Sequence, residues 1–129
     1  MSLLHFRTAQ ELVAARKSGE LSALELVEYF LERIERHNPT LNALVTITPE
    51  TARDEARKMD HGDRDPGVLW GLPFADKDLT ARAGVPTGSG SRLTQGAPLP
   101  SVSDPMAVAL DEAGGISLGK SAVCEFGLS

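Results

Sequence analysis

In the first third of the chain apolar residues return every three or four positions, and each run opens on a hydroxyl side chain followed three residues later by glutamate. That spacing lets the hydroxyl cap the third helical amide while the carboxylate reaches back to the cap residue. Thr8-Ala9-Gln10-Glu11 is the first such start, and Leu12, Val13 and Ala15 follow it before Gly19, which predicts a short helix. Ser22-Ala23-Leu24-Glu25 is the second. Beyond it Leu24, Val27, Leu31 and Ile34 form a helical stripe widened by Leu26 and Phe30, and Asn38-Pro39 is expected to stop the helix because proline lacks an amide hydrogen. The other side, with Glu25, Glu28, Glu32, Glu35 and Arg36, reads as solvent-facing surface.

The period then changes. Residues 41–47 are apolar and partly β-branched between Pro39 and Pro49, which predicts a short buried strand. Thr48-Pro49 reads as a cap with proline at the first helical position, opening a helix from Glu50 to about Met59 that Gly62 ends. A polar loop leads to residues 68–79, apolar but punctuated by Gly71 and Pro73, a strand entering a site. Residues 80–103 are rich in Gly, Pro, Ser and Thr and predict one long loop, of a length that goes with function or disorder in compact domains. Asp104-Pro105 opens a helix through Ala113, Gly114 closes it, and residues 116–118 supply a short strand. Helices and strands alternate, so the fold class is α/β.

At 129 residues the chain has the length of one ordinary domain, and no repeat, low-complexity segment or linker divides it. Hydrophobic residues at 41% and charged residues at 24% place it among folded proteins rather than disordered tails. A net charge of -5 disfavours phosphate backbones and anionic lipid surfaces, and the basic groups Arg7, Arg16-Lys17, Arg33 and Arg36 are interleaved with glutamates and read as solvated helix faces. Neither nucleic acid nor membrane is an expected partner. Cys124 is the only cysteine, which excludes an internal disulfide and fits a reducing compartment. No apolar run approaches the ~20 residues that cross a bilayer, and the first residues lack a signal-peptide pattern, so a cytoplasmic protein is expected. Met1-Ser2-Leu3 receives no functional weight.

Gly114-Gly115-Ile116-Ser117-Leu118-Gly119-Lys120-Ser121 satisfies the phosphate-loop pattern letter for letter, but a phosphate loop follows a strand and opens a helix, and here that order is reversed. Gly88 and Gly90 are followed by Leu93 where a dinucleotide fingerprint needs glycine. His5, His37 and His61 are too scattered for a metal pair, and Cys124 without a cysteine partner reads as a small packed residue, so neither metal nor cofactor is expected. The segment Gly71-Leu72-Pro73-Phe74-Ala75-Asp76-Lys77-Asp78 differs. If residues 74–79 are extended, Lys77 shares a face with Ala75 and Leu79 while Asp76 and Asp78 point the other way. An ammonium held among apolar groups gives up its proton more readily and can serve as a general base. A lysine reaching to water, or pairing with an aspartate, accounts for the same residues, and taken alone they favour that reading.

The order of several segments reverses the balance, because together they resemble the amidase signature family. Gly71-Leu72-Pro73 through Lys77-Asp78 is similar to the family's Gly-x-Pro-x-x-x-Lys-Asp segment, whose lysine is the base of a Ser-cisSer-Lys triad. Pro86-Thr87 with Gly90-Ser91 resembles its Thr-x-Gly-Ser loop, and Asp104, Val108, Leu110, Ala113-Gly114 and Gly119-Lys120 follow its helix and strand to a Gly-Lys-Thr-Asn step. Glu125-Phe126-Gly127 matches the segment after it. Asp76 departs from a usually aliphatic position, Leu79 from asparagine, and Ser121-Ala122 from Thr-Asn.

The resemblance implies helices around a mixed central sheet, with residues 1–129 as the N-terminal segment of a larger amidase domain that is incomplete here. It implies an amidohydrolase acting on linear amide C–N bonds of a small molecule, with Lys77 as general base and no cofactor. The family's bridging and nucleophilic serines lie beyond Glu-Phe-Gly, and Ser89, Ser91, Ser121 and Ser129 lack the motifs that surround them. The chain alone is therefore expected to be inactive and to self-associate. One alternative is part of a glutamine-dependent tRNA amidotransferase, as one of its subunits; the other is a short non-catalytic interaction module.

Overall fold

The computed structural model describes residues 3–128. Helices α1 (Ala9–Ser18) and α2 (Ala23–Leu41) lead to strand β1 (Leu44–Ile47), helix α3 (Pro49–His61), strand β2 (Pro73–Lys77), helix α4 (Pro105–Glu112) and strand β3 (Ile116–Ser121). The sheet runs β1-β3-β2, with β1 antiparallel and β2 parallel to β3. The fold is α/β with a mixed sheet.

Both capping boxes form. Thr8 and Ser22 each accept the amide of the glutamate three residues on, and Glu11 and Glu25 return to the cap amides at 2.6 and 2.7 Å. The start of α2 is completed from outside, since Asp60 of α3 accepts the Ala23 and Leu24 amides at 2.8 and 2.9 Å. Arg16 bridges to Asp60 at 3.0 Å and donates to the carbonyl oxygens of Leu21 and Trp70. Arg16 is thus buried rather than on a solvated face, because a carboxylate and two carbonyls replace its water.

Some boundaries move from the sequence expectation. Helix α2 continues through Pro39 to Leu41 and ends at Asn42 in left-handed conformation. Pro39 lies in the last turn, so it forgoes a single helical hydrogen bond and only Thr40 and Leu41 follow it. Asn38 secures the exit by bonding the backbone of Leu44 through both ends of its amide, each at 2.9 Å. Strand β2 is shorter than expected because residues 69–72 close a turn, Leu72 N–H donating to Leu69 O. Asp104 does not cap α4; its carboxylate accepts the Ala81 amide at 2.7 Å and ties the long loop to the helix start.

The core lies where α2 and α3 meet the beginning of β3. Ala23, Val27 and Leu31 of α2 and Ala52, Ala56 and Met59 of α3 enclose Ile116 and Leu118. Small alanines on α3 let that helix lie close to α2 while the larger side chains of α2 and β3 fill the space between.

Against β2, strand β3 carries one extra residue. Phe74 pairs with Ser117 but Asp76 pairs with Lys120, whereas against β1 the register shifts between Leu44 and Thr46, where the extra residue lies on β1. The extra residue is a β-bulge at Gly119, whose φ of 144° suits glycine. A Cβ there would stand 2.0 Å from the Thr46 carbonyl oxygen, so no other residue fits. The bulge reverses the alternation and brings Lys120 to the side of the sheet that carries Ser117, Asp76 and Asp78.

Candidate active site

Strand β2 and the residues just after it alternate as expected. Ala75, Lys77 and Leu79 are exposed while Asp76 and Asp78 are buried. The described residues do not desolvate Lys77. Ala75 is too small to cover the amine, and Leu79 is itself 37% exposed, so the apolar enclosure expected for the lysine is absent among the described residues. Its backbone is fixed at the strand end, where the Lys77 carbonyl accepts the Thr80 amide at 2.8 Å. Among the described residues no hydrogen bond or ion pair engages its amine, which leaves the alternative of an aspartate pair without support.

The two aspartates have other partners. Arg82 grips Asp76 through two nitrogens, at 2.7 and 3.2 Å, and holds Asp111 of α4 at 2.7 Å with a third. The Ser117 hydroxyl donates to Asp76 at 2.8 Å. Burial works against the charge on Arg82, but its hydrogen bonds to Asp76 and Asp111 outweigh that and hold the guanidinium more firmly protonated than usual. The unusual aspartate before the lysine is thereby explained: it faces away from Lys77 and is neutralised on its own side of the strand.

Asp78 meets Lys120, an association that letter patterns did not reveal. The Lys120 ammonium is fully buried, stands 3.5 Å from Asp78 Oδ1, donates to the Thr80 carbonyl at 2.6 Å and to the Thr87 hydroxyl at 3.3 Å. Both Asp78 carboxylate oxygens accept the Gly88 amide, each at 3.1 Å, and the Asp78 carbonyl accepts the Ser89 amide at 2.9 Å. This geometry disposes of the phosphate-loop match, because Gly119-Lys120 lies inside a strand with its amine already occupied. The sequence signals for it were a charged residue following glycine within a strand and the match of Gly119-Lys120 to the family's Gly-Lys-Thr-Asn step.

The long loop is knitted rather than loose. Gly84 N–H donates to Pro100 O, Thr94 Oγ1 donates to Gly88 O, and Ala83 N–H donates to Ser103 Oγ. On its other side it docks on residues 123–126, where Ser91 Oγ donates to Glu125 at 2.7 Å and Phe126 N–H donates to Ser89 O at 2.7 Å. Gly90, with φ of 64°, lies so close that a Cβ would stand 2.4 Å from the Val123 carbonyl oxygen. Between Asp78, Thr87, Ser91 and the Gln95-to-Pro100 arm is a cavity of about 730 Å³.

Ser89, Ser91 and Ser121 each have another engagement in the structure. Ser121 neighbours Lys77 across the strands, yet its hydroxyl donates to the Asp76 carbonyl at 3.2 Å. Ser89 serves through its backbone and Ser91 caps the short turn at Arg92–Thr94. Ser129 lies outside the described residues, as do Met1 and Ser2. Cys124 is exposed, not packed, since it belongs to the surface segment that follows β3. Among the described residues no helix is long and apolar enough to cross a membrane.

Fold and site together define an α/β unit organised around a lysine at a strand end and a buried ion pair behind it. The family model for amidases matches residues 25–129. The chain belongs to the amidase family. One of the subunits of the glutamyl-tRNA(Gln) amidotransferase of Halorhodospira halophila is 39% identical over 128 residues, covering 97% of this chain and 26% of its own length. Its counterpart of the same name from Methylococcus capsulatus is 37% identical over 131 residues, with the same shares. Among solved structures, a bacterial aryl acylamidase of the amidase signature enzymes superposes with a TM-score of 0.85 at 27% identity, over 94% of this chain and 26% of its own. A member of a vestigial protein complex bearing on the origins of an s-triazine catabolic enzyme gives 0.87 at 30% identity, over 93% and 27%. The chain thus spans about a quarter of the length of the relatives it matches.

Proposed function

We propose that residues 1–129 are the N-terminal segment of a larger amidase domain and supply its general base, Lys77. The observation that carries this reading is the placement of that amine: exposed at the end of β2 and without an ion-pair partner among the described residues, while both adjacent carboxylates are engaged on the opposite side. A general base must be within reach of the group it deprotonates, and a lysine locked into an ion pair would be held protonated; the remainder of the domain would supply the desolvation that frees its lone pair. In the assembled enzyme the amine draws a proton through a bridging serine from the nucleophilic serine, which attacks the carbonyl of a linear amide. An acyl-enzyme forms as the leaving amine takes up that proton and departs, and water releases the acid.

In a full-length amidase carrying this segment, Lys77→Ala should lower kcat on the order of 10²-fold or more, the usual scale of general-base catalysis, and leave substrate affinity far less changed. Arginine should not rescue, because its guanidinium stays protonated. Near-normal kcat in a folded Lys77→Ala enzyme would remove the assignment. The 129-residue chain by itself should turn over no amide.

A second reading is supported by the names of the relatives. Within an amidotransferase the same chemistry would release ammonia from glutamine for a partner protein instead of discarding it. Glutamine hydrolysis that rises when partner proteins are added would favour this reading; equal turnover of unrelated amides without any partner would favour a free-standing amidase. Either enzyme is consistent with a cytoplasmic location.

A further inference from the structure

Lys120 is the only fully buried lysine among the described residues, and the chemistry proposed for Lys77 makes no use of it. Removing an ammonium and a carboxylate from water is costly, and their attraction recovers that cost only when further hydrogen bonds complete both groups. An apolar pair of the same volume would hold two strands together as well. What the ion pair adds is direction, since it selects particular backbone atoms and holds them at fixed positions.

Those atoms lie on two paths. Along the first, Lys120 Nζ donates to Thr80 O, and Thr80 N–H donates to Lys77 O, so the buried ammonium fixes the turn on which the proposed base is mounted. Along the second, Asp78 takes the Gly88 amide on its carboxylate and the Ser89 amide on its carbonyl, and Lys120 reaches the Thr87 hydroxyl. Thr87 and Gly88 line the 730 Å³ cavity. Lys77 and Asp78 are consecutive residues pointing to opposite sides, so a rotation of the strand end that displaced one would displace the other.

We propose that the Lys120–Asp78 couple is a positioning clamp that sets the base-bearing turn and the Thr87-to-Ser89 cavity wall in one fixed relation. The bulge at Gly119 is the device that delivers Lys120 to this side of the sheet. The proposal rests on the reading of Lys77 as the base, and its test separates the two.

The double variant Lys120→Met with Asp78→Asn removes both charges and keeps the buried volume nearly unchanged. In the 129-residue chain, hydrogen exchange at the amides of Gly88, Ser89 and Thr80 should accelerate at least about tenfold while the amides of α2 keep their protection. In a full-length amidase carrying this segment, kcat per folded enzyme should fall on the order of 10²-fold with KM changed far less, because a small misplacement of a base costs rate more than binding. If the double variant fails to fold, Thr87→Val, which removes one acceptor of the Lys120 ammonium and no charge, should show the same local acceleration at Gly88 and Ser89 in smaller measure. Unchanged exchange at these amides in a folded variant, or normal kcat despite faster exchange, would overturn the clamp. If Lys77→Ala keeps its activity while the exchange result holds, the base assignment fails and the loop anchoring stands.

Discussion

At Asp76 the chain departs from the aliphatic residue that the family resemblance leads one to expect, and the structure shows a paired change: the side chain is matched by Arg82, which also holds Asp111. The Asp76 side chain is 1% exposed and that of Arg82 15%, so neither can turn to water if the other is lost. Arg82→Met alone should therefore destabilise the chain by about 3 kcal/mol or more, the penalty for leaving the buried Asp76 carboxylate without its cation. Replacing Asp76 by leucine as well should recover most of that loss. Urea denaturation of the two single variants and the double variant checks this, and additive losses in the double variant would show that the two side chains are not coupled.

Among the helices, α2 is supported most fully, since its capping box, the Asp60 carboxylate and its buried stripe all act on the same nineteen residues. Glu25 titrates below the ordinary carboxylate value of 4.5 because it accepts hydrogen bonds from the Ser22 backbone and side chain. Glu28 is also lowered, by its hydrogen bonds from Arg53. A carboxylate whose folded pKa is depressed contributes stability that is complete above its unfolded value and is lost as pH falls through the folded one. The helix should accordingly weaken from about pH 4.5 downward. Glu25→Gln keeps an acceptor at the cap but removes one titration, so its urea midpoint should fall less steeply with acid than that of the parent sequence. Parallel curves for the two proteins would count against the capping carboxylate as an acid-sensitive group.

Taken whole, the molecule has a sheet whose two outer strands, β1 and β2, each present one unpaired edge among the described residues. Val45, Leu79, Phe126 and Leu128 are exposed near these edges or the segment that follows β3. Unpaired edges with apolar neighbours recruit further strands. The 129-residue chain is therefore expected to self-associate, with an apparent mass in light scattering that grows with concentration and with marked binding of an apolar dye. A monodisperse monomer that leaves the dye unbound would refute this.

Signals that act within a few residues were legible beforehand. The capping boxes at Thr8 and Ser22, the glycine stops, the alternation of Ala75 to Leu79 and the matching segments of the family all concern neighbours in the chain, whose geometry local backbone and side-chain chemistry dictates. Other features depended on contacts between distant residues. The sequence could not show that Arg16 would find Asp60, that Asn38 would carry α2 past Pro39, or that Asp76 would be met by Arg82. Least legible was Lys120: strict alternation puts it on the side opposite Ser117, and the single-residue bulge at Gly119 moves it to the other. A shift of one residue inverts every side chain beyond it, and only the fit of three strands, with the Thr46 carbonyl filling the place of a Cβ at Gly119, decides where that shift occurs.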